Sequence, residues 1–105
     1  MKSTVTTKRG RPSVRLAECR DEVLAVLARY GVTDVRVFGS VAREGDTEDS
    51  DLDLLADLPR GTGLFKRGRL CQDLEDILGC RVDLVQTCEV DERSKDRVIA
   101  EARPL

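Results

Sequence analysis

The sequence VFGSVAREGDTEDSDLDLL, residues 37–55, joins two short apolar runs through a polar loop. The first run, residues 32–38, is rich in β-branched residues, which predicts a strand. The second run, residues 51–56, begins by alternating acidic and apolar residues, which predicts a strand with one buried face. Between the two, Gly39-Ser40 ends the first strand. The polar loop therefore connects two consecutive strands of one sheet.

Helical periodicity surrounds these strands. Further predicted elements are helices over residues 13–30, 64–78 and 91–102, a helical turn over 41–44 and a third strand over 81–85. Ser13 is the expected N-cap of the first helix and Gly79 the expected C-cap of the second, with Leu64 on that helix's buried side. Strands that alternate with helices predict an α/β (α+β) fold, in which a small mixed sheet of about three to four strands packs against helices.

Composition limits the chemistry that the chain can perform. It has 105 residues, a net charge of −2, no histidine and four cysteines, none of which forms a C-x-x-C pair. Histidine-based catalysis and zinc sites of cysteine and histidine are thereby excluded. The cysteines are expected to stay free in a reducing cytosol, which predicts a cytoplasmic protein. No apolar run approaches the length of a membrane span, so no membrane partner is expected.

The N-terminal residues differ from the rest of the chain. The first fifteen residues carry five basic side chains and no acid. We interpret residues 1–12 as a disordered basic arm and residues 13–105 as the single domain. Residues 8–12 read KRGRP and resemble the core of AT-hook peptides, which place arginine in the minor groove of A·T-rich DNA. Weak DNA contact and a merely solubilising arm are the two interpretations.

The acidic residues are concentrated around the second strand. Residues 44–57 contain seven acids and no base, a composition that a solvated loop would also show. Asp51 and Asp53, however, project from one face of the predicted strand, and Asp83 occupies the third strand. If those strands are neighbours, three carboxylates meet and repel one another, which Mg²⁺ would relieve. A calcium EF-hand is excluded, because Leu54 stands where its glycine should be.

The Gly39-Ser40 turn has the residues of a phosphate site. Glycine lets a phosphate approach the backbone closely, and a serine at the start of a helical turn presents a hydroxyl. An ordinary loop would have the same two residues. The turn is not a Walker A loop, since no lysine follows Gly45 at the required place.

Together these features are more specific than either alone. Gly39-Ser40, ten intervening residues, Asp51-x-Asp53 and then Asp83 resemble the nucleotidyltransferase superfamily of DNA polymerase β. Within it, residues 37–55 resemble the minimal nucleotidyltransferases. The resemblance extends over residues 13–105 and implies the nucleotidyltransferase fold.

The resemblance also implies an activity and a partner. Minimal nucleotidyltransferases are commonly antitoxins that transfer AMP from ATP to a tyrosine hydroxyl of a HEPN ribonuclease toxin, with Mg²⁺. It implies that Gly39 and Ser40 hold the triphosphate and that Asp51 and Asp53 ligate the metal. Asp83 would complete the metal site and help to deprotonate the acceptor hydroxyl.

Several alternatives stay open at the level of sequence. Arg43 would contact phosphate or form a surface salt bridge with the acidic loop. Lys66, Arg67 and Arg69 form a basic patch whose simplest interpretation is a solvated helix face. The protein could also be a binding antitoxin that masks its toxin without catalysis, or could transfer nucleotides to a small molecule. The absence of a second domain for a small substrate argues against that last activity.

Overall fold

The computed structural model describes residues 11–43 and 45–105. Its helices are α1 (Pro12–Glu18), α2 (Arg20–Arg29), α3 (Leu64–Leu78) and α4 (Glu92–Glu101), and its strands are β1 (Arg36–Phe38), β2 (Leu52–Leu55), β3 (Val82–Val85) and β4 (Arg103–Pro104). The proposed AT-hook lies mostly in residues 1–10, outside the described residues. Its disorder and its DNA contact therefore stay predictions.

The N-terminal helix differs from its prediction at both its start and its middle. It begins at Pro12, with Arg11 as N-cap, so the predicted N-cap at Ser13 is wrong. Proline suits the first helical position because its missing N–H has no partner there. Pro12 is buried, so the folded chain includes at least one residue before the predicted boundary at residue 13, and where the domain begins stays a prediction. The helix also breaks at Cys19, whose φ of −107° and ψ of 18° separate α1 from α2.

The sheet is mixed and has four strands in the order β3-β2-β1-β4, which confirms the predicted fold class. β1 pairs antiparallel with β2 and with β4, whereas β2 and β3 are parallel. The first strand is shorter than residues 32–38, because its paired residues are only 36–38. The predicted helical turn at 41–44 is observed as a turn over residues 41–43.

The apolar core lies between one face of the sheet and the helices α2 and α3. Every second residue of the central strands points into it, including Leu52 and Leu54 of β2. The α3 residues Leu70, Leu74 and Leu78 form its buried stripe. The prediction that Leu64 joins this stripe is wrong: it lies in the first helical turn and is 84% exposed. Gly79 ends α3 in the left-handed conformation, as predicted.

Side chains of α3 cover the free edge of β3. The Glu75 carboxylate accepts a hydrogen bond from the Val82 N–H at 3.0 Å. About two turns earlier on the helix, Arg67 donates to the Leu84 carbonyl oxygen and to the Glu89 carboxylate, the latter at 2.7 Å. Arg67 therefore does not belong to a solvated basic face, whereas its neighbour Lys66 is exposed.

No helix within residues 11–43 and 45–105 combines the length and apolar character that crossing a membrane needs.

Candidate active site

The turn after β1 is built around a glycine whose position disfavours any side chain. Gly39 has a φ of 75°, in the left-handed region that side chains disfavour. A Cβ added there would lie 2.3 Å from the Asp53 Oδ2 atom. The glycine is thus required both by the backbone conformation and by the close approach of a carboxylate on β2.

The predicted carboxylates meet because β2 and β3 are neighbours. Asp53 is paired in register with Asp83 on β3 and with Phe38 on β1. Asp53 is half-buried, whereas Asp51 and Asp83 are exposed. Burial raises the pKa of the Asp53 carboxyl, and the negative charges of Asp83 and Asp51 raise it further. The three groups therefore interact electrostatically, as the sequence pattern predicted.

The chemistry of these donors suits a hard divalent cation, since all of them are carboxylate oxygens. A cation would also remove the repulsion that raises the pKa of Asp53. Within the described residues, however, no three acidic, cysteine or histidine side chains are already arranged to hold a metal ion. The metal-ligand roles of Asp51, Asp53 and Asp83 therefore stay a prediction.

In the part of the chain that the structure describes, backbone hydrogen bonds hold the Gly39-Ser40 turn. The Arg43 N–H donates to the Gly39 carbonyl oxygen at 3.1 Å, and the Gly45 N–H donates to that of Ser40 at 2.9 Å. The Ser40 side chain is half-buried, and its hydroxyl has no hydrogen-bond partner in residues 11–43 and 45–105. It is therefore available to a ligand.

Arg43 lies close to the carboxylates, and its positive charge lowers the pKa of Asp53. Its guanidinium forms a salt bridge with Glu101 of α4, at 3.1 Å. Within the described residues, Arg43 therefore pairs with α4 and not with the acidic loop that the sequence suggested. Both residues line a cleft of about 510 Å³ beside Gly39, to which α4 also contributes Arg97.

A buried acid anchors the loop between the glycine turn and Asp51. Asp46 is only 4% exposed and accepts hydrogen bonds from the Ser13 N–H at 2.9 Å and from the Ser13 hydroxyl at 3.1 Å. Sequence reasoning missed this residue, since nothing local distinguishes it from the other acids around it. Its role depends on α1, more than thirty residues earlier.

The structure combines a left-handed glycine turn, paired strand carboxylates and a four-stranded mixed sheet, the arrangement that the resemblance to nucleotidyltransferases implies. A sequence model of the nucleotidyltransferase domain matches residues 20–105. The chain therefore belongs to the nucleotidyltransferase family, and the prediction of a nucleotidyltransferase is confirmed.

Individual relatives agree with this assignment. A Methanocaldococcus jannaschii protein, MJ0435, provisionally named a protein adenylyltransferase, is 33% identical over 85% of this chain and 96% of its own length. A solved structure provisionally described as a minimal nucleotidyltransferase is 45% identical, with a TM-score of 0.78 over 89% of this chain and 95% of that one. A toxin–antitoxin structure with AMP-PNP has a TM-score of 0.68 at 20% identity, over 80% of this chain and 69% of that chain, and shares the fold.

Proposed function

We propose that this nucleotidyltransferase is an antitoxin that transfers AMP from ATP to a tyrosine hydroxyl of a HEPN ribonuclease toxin, in a Mg²⁺-dependent reaction. The observation that carries the proposal is the contact of Gly39 with Asp53, which is paired in register with Asp83. The name of the M. jannaschii relative supports a protein acceptor. The shared fold of a toxin–antitoxin protein crystallised with AMP-PNP supports the choice of partner and nucleotide.

The turn would bind the triphosphate. Gly39 has no side chain to keep a phosphate away from the backbone, and the unpaired Ser40 hydroxyl is a hydrogen-bond donor for it. Asp51, Asp53 and Asp83 would hold Mg²⁺, which when bound would offset the charge of the triphosphate and of the clustered carboxylates.

The acceptor would react at the edge of the sheet. A tyrosine hydroxyl has a pKa of about 10, so it is protonated and weakly nucleophilic at neutral pH. Asp83 lies on the outermost strand and is exposed, which leaves it open to a side chain of another protein. It would accept the hydroxyl proton while the tyrosine oxygen bonds to the α-phosphorus. The bond between that phosphorus and the oxygen bridging to the β-phosphate breaks, and pyrophosphate leaves.

The test incubates the chain with Mg²⁺, the purified HEPN protein and ATP labelled at either the α- or the γ-phosphate. Label should reach the HEPN protein from the α-position only. Asp53→Asn and Asp83→Asn should abolish most of this labelling, since general-base assistance alone is worth about 10²–10⁴ in rate. Asp49→Asn is the matched control, because Asp49 is an exposed acid of the loop that precedes β2.

Three outcomes would contradict the proposal in whole or in part. If the wild-type chain silences the HEPN protein without labelling it, the protein masks its toxin by binding. If Asp83→Asn labels the partner at the wild-type rate, Asp83 is not the base. Label that appears only on an added small hydroxylated compound, such as an aminoglycoside, would indicate a small-molecule transferase.

A further inference from the structure

A cleft of about 510 Å³ lies between the glycine turn and the C-terminal helix. The turn contributes Gly39 and Arg43 to its walls, and α4 contributes Arg97, Val98 and Glu101. Positions 97, 98 and 101 share one face of a helix, because they are separated by one, three and four residues. The helix therefore presents a continuous wall to the turn.

The position of this wall follows from the sheet. α4 packs against β1, and β1 ends at Phe38, directly before Gly39. The same strand end lies beside Asp53 in the sheet register. The cleft is therefore lined by Phe38, which pairs with Asp53, and by Gly39, against which a phosphate would lie.

The charges in the cleft are unequal. Arg43 is already paired with Glu101 at 3.1 Å. Arg97 has no ion-pair partner in the described part of the chain, and it is exposed. The three side chains together leave one positive charge unneutralised beside the turn. A guanidinium forms paired hydrogen bonds to phosphate oxygens, which a lysine or an amide does not reproduce.

We propose that Arg97 binds phosphate oxygens of the nucleotide. We further propose that Glu101 holds Arg43 at the cleft until the phosphates of the nucleotide displace Glu101 from Arg43. The inference deepens the proposed function, since it rests on the nucleotide binding at Gly39. It adds a binding residue from α4, an element outside the motif that joins Gly39 to Asp53. The ligand class is a polyphosphate, whether free or carried by a nucleoside.

Calorimetric titration with ATP and with inorganic tripolyphosphate, each with Mg²⁺, tests the role of Arg97. Arg97→Gln should weaken the binding of both ligands by about 10- to 100-fold, the usual effect of losing a charge-assisted hydrogen bond. Arg97→Lys should recover part of the loss. Arg93→Gln is the control, because Arg93 is an exposed arginine of the same helix and does not line the cleft. Wild-type affinity in Arg97→Gln would overturn the proposal.

Glu101→Gln tests the proposal that Glu101 holds Arg43 at the cleft. If the nucleotide has to displace Glu101 from Arg43, the neutral Gln side chain should raise ATP affinity a few-fold. Unchanged or lower ATP affinity in Glu101→Gln would show that the holding role is wrong. Thermal unfolding of each variant confirms that it is folded. These titrations contain no partner protein, so they test the inference separately from the proposed function. If the wild-type chain fails to label the toxin, the proposed function alone is refuted. If labelling is normal and Arg97→Gln binds ATP as the wild type does, only this inference is refuted.

Discussion

At the scale of single residues, Gly39 is a position that strongly disfavours substitution. Gly39→Ala should remove nucleotide transfer, because a methyl group would displace the Asp53 carboxylate that now lies 2.3 Å from the Cβ position. The left-handed backbone adds a cost of about 1–2 kcal/mol in the free energy of unfolding. Labelling of the HEPN protein from ATP measures the loss of transfer, ATP titration measures the loss of binding, and chemical unfolding measures the loss of stability.

Gly31 provides the matched control. It has a φ of 73°, and its added Cβ would lie 3.2 Å from Pro59, away from the carboxylates. Gly31→Ala should therefore lose stability while it keeps its ATP affinity. Equal losses of affinity in both variants would mean that Gly39 acts only through the stability of the fold.

The Asp53 carboxyl links the site to stability. Because burial and its neighbours raise its pKa in the folded protein, the ionised form opposes folding. The stability associated with the protonated group is lost as the pH rises through the folded pKa. Asp53→Asn should therefore raise the melting temperature at pH 7 but not in acid, well below that pKa. Scanning calorimetry of the wild type and Asp53→Asn, from acid to pH 7, checks this prediction, with Asp49→Asn as control. A lower melting temperature of Asp53→Asn than of the wild type at pH 7 would contradict it.

The residues of the site differ in how far the sequence reveals them. Gly39, Ser40, Asp51 and Asp53 belong to one local motif, whose spacing and strand alternation indicate their arrangement before the structure is known. Asp46 and Arg97 carry no such signal. Their places depend on the packing of α1 and α4 against the turn, and only the folded chain brings them there.

At the scale of elements, the loop before β2 is tied to α1. Ser13 gives Asp46 two hydrogen bonds. Asp46→Ala should cost about 1–3 kcal/mol, because it leaves donors without a partner in a largely buried site. In a double-mutant cycle with Ser13→Ala, measured by urea unfolding, the two losses should not add. Additive losses would show that the two residues act independently.

The edge of β3 depends on α3 in a similar way. Glu75→Ala removes the acceptor of the Val82 N–H and should cost about 1 kcal/mol. It should also promote self-association, because an uncovered strand edge is a template for pairing. Glu75→Gln keeps an acceptor oxygen and is the control. Light scattering and unfolding measure both effects; a Glu75→Ala variant that is as stable and monomeric as Glu75→Gln would contradict the covering role.

Element boundaries were harder to predict than element types. The apolar residues Val32 and Val35 predicted a strand that begins at residue 32, four residues before the observed start of β1. Both residues are buried in the core, and the Val35 carbonyl oxygen also accepts a hydrogen bond from the Leu105 N–H at 3.0 Å. The sequence does not show whether such a residue is apolar because it lies in a strand or because it lies in the core. The break at Cys19 has no proline or glycine to announce it. The capping glycine at position 79, by contrast, carries a local signal and was predicted correctly.

At the scale of the whole molecule, the last prediction concerns where the folded unit begins. Arg11 caps α1 and Pro12 is buried, so a chain that begins at Arg11 should keep the stability and ATP affinity of the full chain. A chain that begins at Ser13 loses the buried proline and should be less stable by about 1–3 kcal/mol. Urea unfolding of the two shortened chains and the full one makes the comparison, and A·T-rich duplex is titrated into each. Duplex binding by the full chain alone would assign DNA contact to residues 1–10, and its absence from all three would exclude the hook. If the chain from Ser13 is as stable as the chain from Arg11, then Pro12 contributes nothing and the domain begins where the sequence pattern placed it.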